Sequence, residues 1–463
     1  MKKKWLNKLT GISIALSLFN LGACEGGHKQ PDQNTNLKIE TPRPAPILKI
    51  HGSNTIGASL MDKLISHWLI KQDADSIRIE KGQTIEEKYV LANLNGKPVS
   101  VEIHSYGSST GFEDLFWGKT DIAMSSKPIP QKSIKKLSNL GDMKSASAEH
   151  ILSLDGISII VHPTSPLKSI EIPTIKKIFS GEIVDWSEVN PEMSGPIEII
   201  RRDNKSGTHE VFTKLVMEKS KIHENAQICI DNKELSAKVS QNPLAIGYTS
   251  VTFTGNNHSL DIKTQNNQLF KASKFNVQTE DYPLSRRLFL YTPEIPQNQL
   301  VADFIQFALS RTGQQVVEKN GFVAQTLKLV KPEQNTDAST FYKQSTQKSL
   351  RLSMNFRFYP RTSILDNRSQ RDMERLVKFV KEENLNTCQV QFYGFSDNLG
   401  KKLNNKQLSY NRADQVAQVF QSKIKVPSVR TLGFGSEMPV ANNNTLEGRS
   451  KNRRVEVWMN CEA

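Results

Sequence analysis

The stretch RRDNKSGTHEVF at residues 201–212 sets two arginines before a polar turn, then runs Ser-Gly-Thr into an apolar-periodic segment. Val211, Phe212, Leu215 and Val216 recur at helical spacing, so a helix is expected to begin near Thr208. The first N–H groups of a helix lack intrahelical acceptors and carry partial positive charge. Gly207 lets another group approach the backbone, the hydroxyls of Ser206 and Thr208 add donors, and Arg202 adds a full charge. Together they suit a bound oxyanion, although a capped surface helix beside loop arginines would use the same residue types. Two further stretches repeat the plan. HGSNTI at 51–56, with Ser53 and Thr55, precedes Leu60, Leu64, Ile65 and Trp68; GSSTGF at 107–112, with Ser108 and Ser109, leads into EDLFWG. Three hydroxyl-rich turns between strand and helix suggest convergence on one anion at the strand ends.

A second constellation lies at FSDNLGKKLNNKQLSYNRAD, residues 395–414. Asn404, Leu408 and Arg412 are spaced by four and share a helix face, with Asp397 in the turn before it. A carboxylate and a guanidinium brought together could clasp a zwitterion; an ordinary salt bridge would use the same pair. GSSTG at 107–111 also fits G-x-S-x-G, which would make Ser109 a hydrolase nucleophile with His162, His209 or His258 completing a triad. That reading leaves the Arg202-to-Thr208 turn without a purpose. The spacings contain no zinc pattern, the nine histidines show no ligand clustering, and no metal or cofactor is expected.

These residues need elements to hold them. Residues 47–330 alternate short strands (ILKIHG, VEIHSYG, GISIIVHP, PIEIIRR) with helical patterns, as an α/β domain does. KYVLANLNGKPVSVEIH reads as a hairpin turning at Asn95-Gly96. Residues 331–347 are polar and read as a linker, and 348–463 carry a strand, a helix near 368–382, a strand, a helix over 406–422 and two more strands. The chain of 463 residues is expected to hold two or three domains.

Lys2, Lys3, Lys4 and Lys8 precede a short apolar run ending in Leu21-Gly22-Ala23-Cys24, the lipobox pattern of bacterial lipoproteins. Residues 1–23 are therefore expected to be a signal peptide, Cys24 the lipidated residue, and 24–46 a tether with a reach of roughly 70 Å at full extension. Export makes nucleic acid an unfitting partner for the net charge of +14, which suits an anionic ligand or surface. Cys24 aside, three cysteines remain. Cys388 and Cys461 flank strand-like segments and could pair in an oxidising compartment, leaving Cys229 as a buried thiol.

Residues 47–330 resemble the periplasmic phosphate-binding proteins of ABC phosphate transporters, two-lobed hinged receptors. The resemblance rests on HGSNT at 51–55, GSSTG at 107–111, DIAMSSKPI at 121–129, IFSGEIVDWSEV at 178–189, RRDNKSGTHEVF at 201–212, AIGYTS at 245–250, YPLSRRL at 282–288 and GQQVVEKNGFV at 313–323. It implies a type II two-lobed α/β fold and phosphate contacts at Thr55, Ser108, Arg202, Ser206, Gly207 and Thr208, with Ser53 and Ser109 as weaker neighbours. Some members carry an aspartate that accepts the proton of hydrogen phosphate where this chain has Ser126, which bears on discrimination against sulfate. The stretch around 80–104 looks inserted.

Residues 348–463 resemble an OmpA-like peptidoglycan-binding domain, an α+β βαβαββ fold, through NFRF at 355–358, GFSDNLG at 394–400, LNNKQLSYNRA at 403–413, GFGSEMPVANN at 433–443 and GRSKNRRVEV at 448–457. The resemblance implies that Asp397 and Arg412 hold the diaminopimelate of the stem peptide, supported by Asn404, Leu408 and Arg453. The combined expectation is a non-enzymatic lipoprotein on the periplasmic face of a Gram-negative outer membrane, binding phosphate or a similar oxyanion and gripping the wall. Its alternative is a structural tether whose middle domain has lost the anion.

Overall fold

The computed structural model describes residues 43–204, 206–264, 268–331, 338–358 and 364–461. The signal-like N-terminus, Cys24 and the tether through residue 42 lie outside the described residues, as do 332–337 of the expected linker. No described helix is long and apolar enough to cross a membrane.

The strand Glu149–Val161, EHILSLDGISIIV, organises the larger, N-terminal part. Its near-continuous apolar run suits a strand covered on both faces, and every residue after Glu149 is buried. Its first half pairs antiparallel with Ser285–Tyr291, and its second half pairs with Ala245–Ser250. On the first side the sheet continues through Ile122–Ser125, Pro46–Gly52, Lys97–His104, Glu87–Leu94 and Asp75–Lys81; on the other it continues through Glu198–Arg202 and Gln227–Cys229. Two lobes result, each with its own core. Leu48, Ile50, Leu64, Trp68 and Phe304 fill the first; Ile159, Phe179, Trp186, Phe212 and Tyr248 fill the second. The chain passes between the lobes where Ser285 faces Gly156 and Arg286 faces Asp155. This is the expected type II two-lobed plan.

The stretch around 80–104 lengthens the first lobe's sheet. Glu87–Leu94 and Lys97–His104 form an antiparallel hairpin whose turn residues Asn95 and Gly96 have φ of 53° and 73°. Left-handed backbone at both central positions gives the twist that a two-residue hairpin needs.

The C-terminal sheet runs in the order Leu329–Val330, Leu350–Arg357, Arg454–Asn460, Gln389–Gly394, Val429–Gly433. Helices Asn367–Glu382 and Lys402–Lys423 cover one face with Met373, Leu376, Val380, Ala413, Val416 and Phe420. This is the expected βαβαββ order, with a short helix Leu446–Asn452 before the last strand. The 331–347 stretch does more than link, because Thr340–Thr346 is helical and Tyr342 packs with Phe395, Phe434 and Trp458 on the other face of the sheet. Cys388 and Cys461 are bonded, with an S–S distance of 2.11 Å, across the neighbouring strands Gln389–Gly394 and Arg454–Asn460. Cys229 is a free, buried thiol.

The two parts meet through buried charge. Glu280 and Asp281, just before the inter-lobe strand Ser285–Tyr291, face Arg351, Arg357 and Arg368 of the C-terminal part. Arg351 reaches Asp281 at 2.7 Å, Asn355 Nδ2 donates to Asp281 Oδ1 at 2.9 Å, and Arg287 reaches Glu280 at 2.5 Å. Burial alone would raise the Glu280 carboxyl, but Arg287, Arg368 and Arg357 outweigh it and hold it far below the carboxylate range.

Candidate functional site

Three turns open onto one place between the lobes. The first follows strand Pro46–Gly52, where Ser53 N donates to Met124 O at 3.0 Å and the short helix Asn54–Gly57 begins. Thr55 is buried, and so is Ser53, whose Oγ has no hydrogen-bond partner among the described residues. The second is the start of helix Ser108–Phe116, where Ser108 Oγ accepts from Ser126 N at 3.1 Å. Ser126 follows strand Ile122–Ser125 and is also buried. The third is the start of helix Gly207–Phe212 in the second lobe, with Ser206 as N-cap accepting from His209 N and with Thr208 buried.

The lobes touch here. A Cβ on Gly207 would lie 2.3 Å from Thr55 Oγ1, so only glycine fits this approach. Arg286, from the inter-lobe strand, spans the gap: Nη2 donates to Thr55 Oγ1 at 2.9 Å and to Gly207 O at 3.0 Å, while Nη1 reaches Ser126 O at 3.5 Å. Asp155 lies 3.5 Å behind it. Burial pushes the Asp155 carboxyl up and the Arg286 guanidinium down, and each charge partly restores the other. Sequence reasoning passed over Arg286. Its signal is the paired arginine of YPLSRRL at 282–288, but the residue's position opposite both turns depends on strand pairing.

Arg202 stands differently from the expectation. It is buried near the same helix start, but Nη1 donates to Asn232 Oδ1 at 2.7 Å and Nη2 to Ile230 O at 2.8 Å, with Asp203 at 3.4 Å. None of these partners is in the hydroxyl cluster. The carboxylate of Glu210 is in it: Ser126 Oγ lies 3.0 and 3.1 Å from its two oxygens, and Thr55 Oγ1 donates to it at 3.4 Å. With Ser126 donating to Glu210, the contact of 3.3 Å between Ser108 Oγ and Ser126 Oγ is donated by Ser108. The cluster thus already coordinates a carboxylate, through hydroxyls from the first lobe. Arg286 Nη1 lies 3.9 Å from the same group.

Ser109 lies apart, exposed on its helix. Among the described residues no histidine hydrogen-bonds to it: His162 pairs with Thr164, His209 with Tyr248, and His51 with Asp114 and Glu102. The clustering of His51, Glu102 and His104 is a second thing the sequence reading did not foresee. Glu102 and His104 are two apart on a strand, but His51 is brought beside them only by sheet pairing.

In the C-terminal part, Asp397 Oδ1 accepts from Leu399 N at 3.0 Å and Oδ2 accepts from Arg453 Nη1 at 2.8 Å. Arg412 is 1% exposed and its guanidinium lies 5.3 Å from the Phe358 ring. Burial, with the like charge of Arg453 beside it, pushes Arg412 down to about 10 against the pull of Asp397. Asn404 and Leu408 are exposed. The row spaced by four therefore crosses from solvent to core along the helix, because Arg412 is also three residues beyond buried Ser409. Arg453 pairs directly with the carboxylate, and the charge of Asp397 also acts on Arg412.

Residues 84–312 match the PBP superfamily domain and residues 357–453 match the OmpA family. The phosphate-binding protein PstS of Staphylococcus epidermidis is 27% identical over 339 residues, covering 72% of this chain and 92% of that protein. PstS of Staphylococcus aureus is 28% identical over 339 residues, covering 72% and 91%. Among solved structures, an ABC-type phosphate transport receptor from Vibrio cholerae aligns with a TM-score of 0.45 at 20% identity, covering 60% of this chain and 99% of that one.

Proposed function

We propose that this chain, a PstS-like domain joined to an OmpA family domain, is an envelope lipoprotein that captures phosphate between its lobes and holds the peptidoglycan through its C-terminal domain. The cleft reading is carried by one observation: hydroxyls of Thr55 and Ser126, with Arg286 bridging to Gly207 of the other lobe, surround a carboxylate, that of Glu210. A ring of donors that holds a carboxylate is suited to an external oxyanion of similar size. Ser53, Ser108, Ser206 and Thr208 add donors, Ser109 stands at the rim, and Arg202 contributes positive charge from behind the turn. Closure is favoured because the anion meets donors of both lobes only when they touch.

Asp397, Arg412 and Arg453 are the proposed grip on the stem peptide, the carboxylate taking an ammonium and the guanidiniums a carboxylate, with Asn404 and Leu408 as exposed contacts. Lipidation at Cys24 and the tether to residue 46 would hold the receptor at the periplasmic face of the outer membrane, with phosphate stored, sensed or passed on locally.

A second reading is favoured by Glu210 itself. A resident carboxylate among the donors would make the middle domain a structural module with a self-filled cleft. Calorimetric titration of protein stripped of anion by unfolding and refolding, with phosphate and separately with sulfate, decides between the two. Phosphate binding that is lost in Arg202→Ala supports the receptor. Heat of neither anion above dilution overturns it in favour of the tether.

A further inference from the structure

The cluster behind the first turn serves neither proposed site. Strands Pro46–Gly52 and Lys97–His104 pair in parallel with His51 beside His104, and Glu102 is two residues from His104 on the same face. Glu102 Oε1 lies 3.0 Å from His51 Nε2, and Oε2 lies 3.9 Å from His104 Nε2. One ligand atom from each of the three residues falls within 4.8 Å of the others. Asp114 Oδ2, from helix Ser108–Phe116, lies 2.8 Å from His51 Nδ1.

The tautomer of His51 decides what this arrangement asks for. A neutral imidazole carries one proton, and a carboxylate on Nδ1 fixes it there. Nε2 then faces a carboxylate oxygen at 3.0 Å with its lone pair, a contact held by a second ring proton in the imidazolium or by a metal cation in that proton's place. His104 Nε2, buried and without a hydrogen-bond partner among the described residues, offers a second lone pair alongside. The carboxylates of Glu102, Asp114 and Glu87 act on the two rings, and Lys49 adds to the positive charge acting on Glu102.

We propose that His51 Nε2, Glu102 and His104 Nε2 form a site for a divalent transition ion of the zinc class, with Asp114 holding the His51 ring through Nδ1. Two imidazoles and a carboxylate are a donor set that zinc takes with a further position open. The two rings are stacked with centroids 4.2 Å apart, so chelation tilts the His104 ring until its Nε2 converges with that of His51. The inserted hairpin contributes two of the three ligands, which gives the insertion a purpose. The site lies two residues before Ser53 in the chain, so the ion would stiffen the strand end from which the first turn departs.

The test uses the full chain, dialysed against Zn(II) and then against metal-free buffer, with bound metal measured by mass spectrometry and Co(II) as a visible-absorption probe of geometry. About one equivalent of zinc, and a four-coordinate Co(II) spectrum, are expected. His104→Gln and Glu102→Gln should each weaken zinc by roughly 100-fold, and Asp114→Asn by roughly tenfold, while exposed His67→Gln leaves it unchanged. Phosphate titration and circular dichroism identify any variant that has lost its fold, and Asp114→Asn keeps the test decisive if His104→Gln does not fold. Zinc retained undiminished by folded His104→Gln, or no zinc retained by the unaltered protein, overturns the site and leaves a hydrogen-bonded cluster that staples the hairpin.

Discussion

Asp281 and Arg351 meet at 2.7 Å with both side chains buried, joining the segment before strand Ser285–Tyr291 to strand Leu350–Arg357 of the C-terminal sheet. Asp281 also serves Arg357 and Asn355, so its removal leaves several donors without an acceptor. Breaking one side of a buried pair costs about 3–5 kcal/mol. Asp281→Ala is expected to lower the thermal midpoint by several degrees and to speed proteolysis within 331–347. An unchanged midpoint and cleavage rate would show that the junction contributes nothing to stability.

Arg286 spans both lobes with a fork that lysine cannot reproduce. Arg286→Lys keeps the charge but has one nitrogen for the work of two, Nη2 on Thr55 and Gly207 and Nη1 facing Ser126 O and Glu210. Phosphate affinity should fall by roughly 10- to 100-fold, the value of one charge-assisted bond, mostly through faster dissociation. Stopped-flow release measured against a phosphate-trapping enzyme reads this directly; equal off-rates would mean that the guanidinium does not hold the lobes closed.

Glu210 stands where Ser126 needs an acceptor, at 3.0 Å. Hydrogen phosphate has a proton to donate to such a carboxylate, whereas sulfate has none and is repelled. Glu210→Gln is expected to narrow the preference for phosphate over sulfate by roughly tenfold or more. Competition titrations of the two anions give the ratio, and a ratio unmoved by the substitution would remove Glu210 from selectivity.

At the proposed wall grip, Asp397→Ala and Arg412→Ala should each abolish co-sedimentation with purified sacculi. Arg453→Ala should weaken it by roughly tenfold, because the lost ion pair also frees Asp397. Retention of full binding by Asp397→Ala would move the grip elsewhere on the domain.

His150 is buried between Thr292 and Arg371, and burial together with that arginine pushes its pKa down to about 3. The unfolded chain takes up this proton near pH 6.5 while the folded chain refuses it, so stability falls as pH drops through that window. The slope is at most about 1.4 kcal/mol per pH unit, and His150→Gln should flatten it. Urea midpoints for both proteins between about pH 7 and pH 5 make the comparison; parallel lines would assign the acid sensitivity to the other histidines that burial holds below their ordinary value, His104 and His209 first.

Much of this was legible in residue order. Alternation announced the strands, Asn95-Gly96 announced its hairpin, and the strand–hydroxyl–helix pattern pointed to the turns that converge. What could not be read was whatever depends on pairing between distant strands. Arg286 and Glu210 enter the cleft because of the inter-lobe register and the approach of Gly207 to Thr55, distances that no local pattern encodes. The same holds for His51, whose partners lie 51 and 53 positions away in sequence. Arg412 was found by spacing, but its burial against Phe358 was not, since four-residue periodicity says which residues align along a helix and not where the neighbouring chain covers them.

The strand Glu149–Val161 belongs to both lobes at once, and this bears on how the chain reaches its shape. Neither half-sheet is complete until that strand is seated, and residues 285–291 and 323 must return from far along the chain to pair with it. Pairings of such long sequence separation form late and slowly. The two-lobed part is therefore expected to assemble its two halves in one concerted step, so that a lesion in the core of either lobe unravels both together.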